Sequence, residues 1–109
     1  MQELINEVIK FRDERDWKQF HTPKDLVISL SLEAAELLEL FQWKDSKEAI
    51  EKNKSEMADE LADILVYCLT LCNDLGFSPE EIIKNKLSKN AEKYPIEKSY
   101  GSNKKYNEL

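Results

Sequence analysis

Apolar residues recur along most of this chain at intervals of three and four, the spacing of one helix face. Leu4, Ile5, Val8 and Phe11 form the first such stripe, which predicts a helix over about residues 3–17. Thr22-Pro23 then supplies an N-cap and an N1 proline, with Asp25 complementing the helix dipole. The second helix opened there is predicted to reach about Trp43. Asp45-Ser46 caps a short helical stretch over 47–52, and Ser55 caps a third main helix that runs to about Leu75 and ends on Gly76. Ser78-Pro79-Glu80-Glu81 has the form of a capping box, so a fourth helix begins there and stops near Tyr94, ahead of Pro95. Residues 96–109 show no periodicity. The pattern predicts an all-α fold, a bundle of four main helices over 1–95 followed by a flexible tail over 96–109.

The second helix is apolar over more than one face. Leu26, Leu30, Leu37 and Leu40 make one stripe, while Ile28 and Leu32 lie opposite, so both sides require cover. In a chain of 109 residues, near the size at which association supplies extra burial, this predicts at least a dimer.

Glu33 falls inside the first stripe, three residues from Leu30 and four from Leu37. An ionised carboxylate in such a place is costly unless something cationic meets it. Glu36 stands one turn further on. The third helix carries an apolar arc through Met57, Ile64, Cys68 and Leu75, bordered by a second acidic pair, Glu60 and Asp63. Two pairs at i, i+3 on facing helices would set four carboxylates around one spot. A hard divalent cation fits there, and all-oxygen ligands favour magnesium, with manganese as a substitute. The competing readings are a solvated acidic face for Glu60 and Asp63 and a buried salt bridge for Glu33. Glu39 points away from Glu33 and stands as a further ligand, a base or a solvated side chain.

Composition narrows the partners. Charged residues make up 35% of the chain, with two Gly and three Pro, which suits helices with solvated outer faces. A net charge of −6 argues against binding a nucleic acid polymer, which needs a basic footprint. No stretch approaches the roughly 20 apolar residues of a membrane span, and the N-terminus lacks the pattern of a signal peptide. Cys68 and Cys72, with a single His in the chain, do not make a zinc set. They are expected to be buried thiols in a reducing cytoplasm.

Four separated segments match a known pattern. Ser31-Leu32-Glu33-Ala34-Ala35-Glu36-Leu37-Leu38-Glu39-Leu40-Phe41-Gln42-Trp43-Lys44 resembles the MazG-like all-α nucleoside triphosphate pyrophosphohydrolases, and most of all their dCTP pyrophosphatase-like branch. Glu14-Arg15-Asp16-Trp17-Lys18-Gln19-Phe20-His21-Thr22-Pro23 is similar to that branch as well. So are Asp59-Glu60-Leu61-Ala62-Asp63-Ile64-Leu65-Val66-Tyr67 and Lys86-Leu87-Ser88-Lys89-Asn90-Ala91-Glu92-Lys93-Tyr94-Pro95. The resemblance covers most of the chain, with its motifs in order. It departs at Leu32, where the family often doubles the Glu, and this leaves Glu36 and Glu39 as two candidates for the general base.

The resemblance implies a magnesium-dependent hydrolase that cuts between the α and β phosphates and releases a monophosphate and pyrophosphate. Its metal ligands would be Glu33, Glu36, Glu60 and Asp63. It also implies a base pocket that draws on the aromatics Trp17 and Trp43, with His21 nearby, and phosphate-side partners among Lys86, Asn90, Lys93 and Tyr94. Homodimers or homotetramers are expected. The expected substrate is a deoxynucleoside triphosphate, dCTP or a modified pyrimidine nucleotide. The rivals are dUTP, phosphoribosyl-ATP, or a noncatalytic helical module that keeps the fold to bind a partner.

Overall fold

The computed structural model describes residues 1–109, and every regular element in it is helical. Five α-helices follow one another: α1 (Gln2–Glu14), α2 (Pro23–Glu39), α3 (Ser46–Leu75), α4 (Pro79–Lys93) and the short α5 (Ile96–Ser99). Single 3-10 turns sit at Lys18–Phe20 and Tyr106–Glu108. The chain divides into two units, Met1–Gly76 and Phe77–Leu109. No single helix is long and apolar enough to cross a membrane.

In the first unit α2 and α3 form an antiparallel hairpin. Asn53 Nδ2 on α3 donates to the Leu40 carbonyl at the end of α2 (3.0 Å), while His21, just ahead of α2, meets the ring of Tyr67 further along α3. α1 runs in the same direction as α3: Leu4 shares a groove with Asp63 and Val66, and Arg12 meets Asp74. The core is small. Ile5, Leu26, Ala49, Met57 and Leu69 are its buried apolar residues. Leu26, Leu30, Leu37 and Leu40 turn inward or are half-buried, whereas Leu32 on the opposite face of α2 remains 60% exposed and Leu38 71%.

The caps largely follow the sequence. Thr22 Oγ1 accepts from the Asp25 amide, Asp45 from the Glu48 amide and Ser78 from the Glu81 amide, and Gly76 closes α3 at φ 75°. Three boundaries differ from expectation. α1 stops at Glu14 rather than near Trp17, because Asp16 turns left-handed (φ 55°). The Trp17 amide then donates back to the Arg12 carbonyl (3.2 Å) and the Asp16 amide to that of Asp13 (3.1 Å), a Schellman closure with Trp17 folded onto Phe11. α2 stops at Glu39 instead of Trp43, since successive turns bend the chain and Trp43 takes φ 64°.

The third difference joins two predicted helices. No new helix starts at Ser55; α3 is one helix from Ser46 with a kink at Asn53 (φ −124°, ψ 19°). The side chain of Asn53 satisfies the otherwise orphaned Leu40 carbonyl, and that bond draws its backbone off helical geometry. Cys68 and Cys72, expected to be buried, are half-buried free thiols, and burial pushes the Cys72 pKa up.

In the second unit α4 ends at Tyr94, whose amide donates to the Asn90 carbonyl (2.8 Å). Residues 96–109, the expected flexible tail, include α5 and the turn at Tyr106–Glu108. Tyr106 packs edge-on against Tyr94 (6.2 Å between ring centroids), and Lys93 Nζ lies 5.0 Å from the centre of its ring.

Candidate metal centre and adjoining cavity

Helical spacing does the first part of the assembly. Glu33 and Glu36 leave α2 one turn apart, as Glu60 and Asp63 leave α3, and the hairpin sets the two pairs opposite one another. Carboxylate oxygens of Glu33, Glu36 and Glu60 all lie within 4.8 Å of one another. Glu33 and Glu60 are half-buried and Glu36 is exposed. No Lys or Arg makes a salt bridge to any of the three. A buried salt bridge for Glu33 is therefore not what the structure contains.

The electrostatics follow from like charges brought together. The facing Glu60 carboxyl, then burial, then Glu36 and Asp63 push the Glu33 pKa up to about 7 from 4.5. The facing Glu33 carboxyl pulls Glu60 down, but burial, Glu36 and Asp63 outweigh it, so Glu60 is raised as well. Asp63 acts on both groups without joining the three-residue contact set.

One atom on each of the two half-buried carboxylates, Glu33 Oε2 and Glu60 Oε2, is shielded from solvent with no hydrogen-bond partner. Buried polar atoms are nearly always satisfied, so a pair of orphaned carboxylate oxygens in one cluster is a departure that a ligand would remove. The donor set is oxygen only, which suits magnesium or manganese better than zinc or copper.

A cavity of about 140 Å³ adjoins the acids. Asp63 is in its wall, together with the aromatic side chains of Phe11, Trp17, His21 and Tyr67 and the side chain of Arg12. The aromatics form a continuous series: Phe11 to Trp17 at 5.9 Å, Trp17 to His21 at 6.2 Å and His21 to Tyr67 at 6.2 Å between centroids. His21 Nδ1 is buried and unpartnered. Arg15 stacks over Phe11, 3.6 Å from the ring centre, and backs the series from outside.

Glu39 lines a separate groove with Leu38, Phe41 and Gln42. Trp43 is 92% exposed and does not line the cavity that contains Trp17. Lys86, Asn90 and Lys93 lie on α4, with Tyr94 at its end, all in the second unit. Tyr67, like Phe20 and Phe41 an aromatic that the sequence offers either for the base pocket or for the core, lines the cavity, whereas Arg12 is not singled out by the sequence. Arg12 looks like one more charge on a polar helix, and only its i−7 and i−4 neighbours Ile5 and Val8 hint that it faces inward.

Comparison with known proteins adds a second line of argument. A family model described as the MazG-like family matches residues 28–109. dCTP pyrophosphatase 1 of Mus musculus is 36% identical over 105 residues, a match covering 92% of this chain and 62% of that protein. The Homo sapiens protein of the same name is 34% identical over the same shares. The chain thus spans somewhat under two thirds of the length of these curated relatives. Among solved structures, a pyrophosphatase from Archaeoglobus fulgidus superposes with a TM-score of 0.83 at 46% identity, over 87% of this chain and 92% of that one.

Proposed function

The chain belongs to the MazG-like family, and from that premise we propose that it is a divalent-metal-dependent nucleoside triphosphate pyrophosphohydrolase. It cleaves between the α and β phosphates and releases a monophosphate and pyrophosphate. The observation that carries this reading is the pair of orphaned oxygens, Glu33 Oε2 and Glu60 Oε2, inside a cluster of carboxylates with no protein cation. Glu33, Glu36 and Glu60 hold the metal, with Asp63 beside them. When bound, magnesium supplies charge neutralisation for the polyphosphate and acidifies a water at neutral pH.

The chain's own side chains divide the rest of the work. Glu36 accepts the proton of the attacking water, since it belongs to the cluster and is open to solvent. Glu39, in its separate groove, is the second candidate for that role. The base enters the cavity between Trp17, His21 and Tyr67, where aromatic faces grip a base by stacking. Asp63 borders both the acids and the cavity, so base and phosphates are held next to each other. Lys86, Asn90, Lys93 and Tyr94 take the phosphate side.

The names of the relatives favour a pyrimidine deoxynucleotide, dCTP or a modified form, as substrate. The exposed Leu32, Leu38 and Trp43 favour assembly into a homodimer or homotetramer, in which Trp43 of one copy contributes to a site of its neighbour. The helices then form a four-helix bundle protomer over 1–95.

The test is a panel of nucleoside triphosphates, incubated with and without magnesium, with the products separated. Monophosphate plus pyrophosphate, only with metal and fastest for one pyrimidine, is the expected result. Orthophosphate release, or turnover indifferent to metal, overturns the reading.

A further inference from the structure

The carboxylates and the aromatic wall account for the chemistry and the base, but the most deeply buried charged side chain of the chain, which shares the cavity wall, has its guanidinium bonded to aspartates instead. Arg12 is only 4% exposed. Its Nη1 donates to both oxygens of Asp74 on α3 (2.9 and 3.1 Å) and its Nε to Asp13 (3.0 Å). The same residue is the backbone anchor of the turn that follows α1, because its carbonyl receives the Trp17 amide. One residue therefore ties the turn carrying Trp17 to the helix carrying Asp63 and Tyr67.

The seam needs such a tie. α1 contributes only Ile5 and Arg12 to the buried set, and Leu4 and Phe11 remain half exposed, so apolar burial fixes the helix weakly. A guanidinium held at Nη1 by Asp74 and at Nε by Asp13 is fixed in angle as well as distance, which a patch of aliphatic contact does not achieve. Asp74 lies two turns along α3 from Tyr67, and Thr70 between them is buried with its hydroxyl bonded to the Val66 carbonyl (2.8 Å). The ion pair and the cavity thus share one stretch of α3.

We propose that the Arg12–Asp74 pair is a positioning device for substrate recognition: it sets the separation between the Trp17 side and the Tyr67 side of the cavity and so determines how tightly the base is gripped. The proposal rests on the reading of the cavity as the base site. Neither residue makes a hydrogen bond or ion pair to Glu33, Glu36 or Glu60, so the pair is expected to act on binding and leave the metal site as it is.

Asp74→Asn and Arg12→Lys test this in the full chain. Both keep a polar partner at the seam, and Asp13 still neutralises the cation in the first. The expected result is a KM for the preferred triphosphate raised roughly tenfold with kcat held within about twofold, as for lost positioning far from the reacting atoms. Manganese binding in the absence of nucleotide is expected to be unchanged. Discrimination between pyrimidine and purine triphosphates should fall in step with the rise in KM.

A lower melting temperature with wild-type KM and selectivity means a purely structural pair and overturns the proposal. So does a fall in kcat together with weaker manganese binding. If both variants lose the helical far-ultraviolet spectrum, the unmodified protein decides by amide exchange with and without a nonhydrolysable nucleotide. Slower exchange of the Trp17 amide on binding supports the proposal, and unchanged exchange overturns it. A wild-type protein that turns over no triphosphate would sink the functional reading itself; an active Asp74→Asn enzyme with normal KM would sink only this inference.

Discussion

Two groups of charged side chains lie within the Met1–Gly76 unit, and they differ in how their charges are answered. At the α1–α3 seam, Arg12 is met by Asp74 and Asp13. Burial lowers its pKa, but the bonds to the two aspartates outweigh that and raise it, so the cation stays a cation. At the α2–α3 hairpin, Glu33, Glu36 and Glu60 meet one another with no cation among them, and two of their oxygens have no partner. The first group is complete as the chain folds. The second has no cation from the chain, and it is there that the proposed metal would supply the missing charge. A protein can hold buried charge where it needs it, as the seam demonstrates, so the acidic cluster is not a failure of packing.

The contrast is sharpest when each group is cut. Glu33→Gln removes one ligand and one repulsive charge together. Turnover is expected to fall by at least about 100-fold, since even residues that merely support a ligand cost 10–100-fold, while the melting temperature without metal holds or rises. Loss of fold in this variant would mean Glu33 serves the structure. Arg12→Met has the opposite signature: it strands Asp74 at the seam and is expected to cost about 3–5 kcal/mol in denaturant unfolding, the usual result of breaking one side of a buried pair. A cost below about 1 kcal/mol, the range of exposed pairs, would show that the seam does not depend on this contact.

Titration separates the groups without mutation. Glu33 ionises at about 7 in the fold against an ordinary 4.5, so between those values the folded chain holds a proton that the unfolded chain has released. Stability of the metal-free protein therefore falls as pH rises from 4.5 through about 7. Magnesium needs the ionised carboxylates, so its stabilisation grows over the same window and offsets the loss. Thermal melts across pH, with magnesium or with a chelator, measure both; at 100 times its Kd the metal would add about 2.7 kcal/mol. Parallel curves under the two conditions would contradict the account. The smallest effect is expected at the turn that anchors the seam. Asp16 holds a left-handed conformation that glycine adopts more easily, so Asp16→Gly should change stability by at most about 1 kcal/mol and leave KM alone.

The same contrast explains what was legible in the sequence. Glu33 stood out because it interrupts a run of leucines, and a carboxylate in an apolar stripe calls for an explanation on one helix alone. Thr22-Pro23, Asp45, Gly76 and Ser78 were legible for a similar reason, since a cap is written within four residues. Arg12 carries no such local mark. Its role depends on Asp74, 62 residues away, and on a polar helix an arginine looks solvated whether or not a carboxylate waits across the seam. The kink at Asn53 was missed in the same way, because the partner that pulls its side chain is the Leu40 carbonyl on another helix. The end of α2 was overrun because Trp43 continues the apolar pattern while its backbone leaves the helix at φ 64°.

The most direct test of the central claim counts metal ions rather than turnover. Manganese binding, followed by electron paramagnetic resonance or calorimetry, is compared between the wild-type chain, Glu33→Gln and Asp74→Asn. The account predicts saturable binding to wild type and Asp74→Asn, and binding at least about tenfold weaker in Glu33→Gln, as expected for a lost ligand. Equal affinity in all three, or no binding by the wild-type protein at neutral pH, would contradict it.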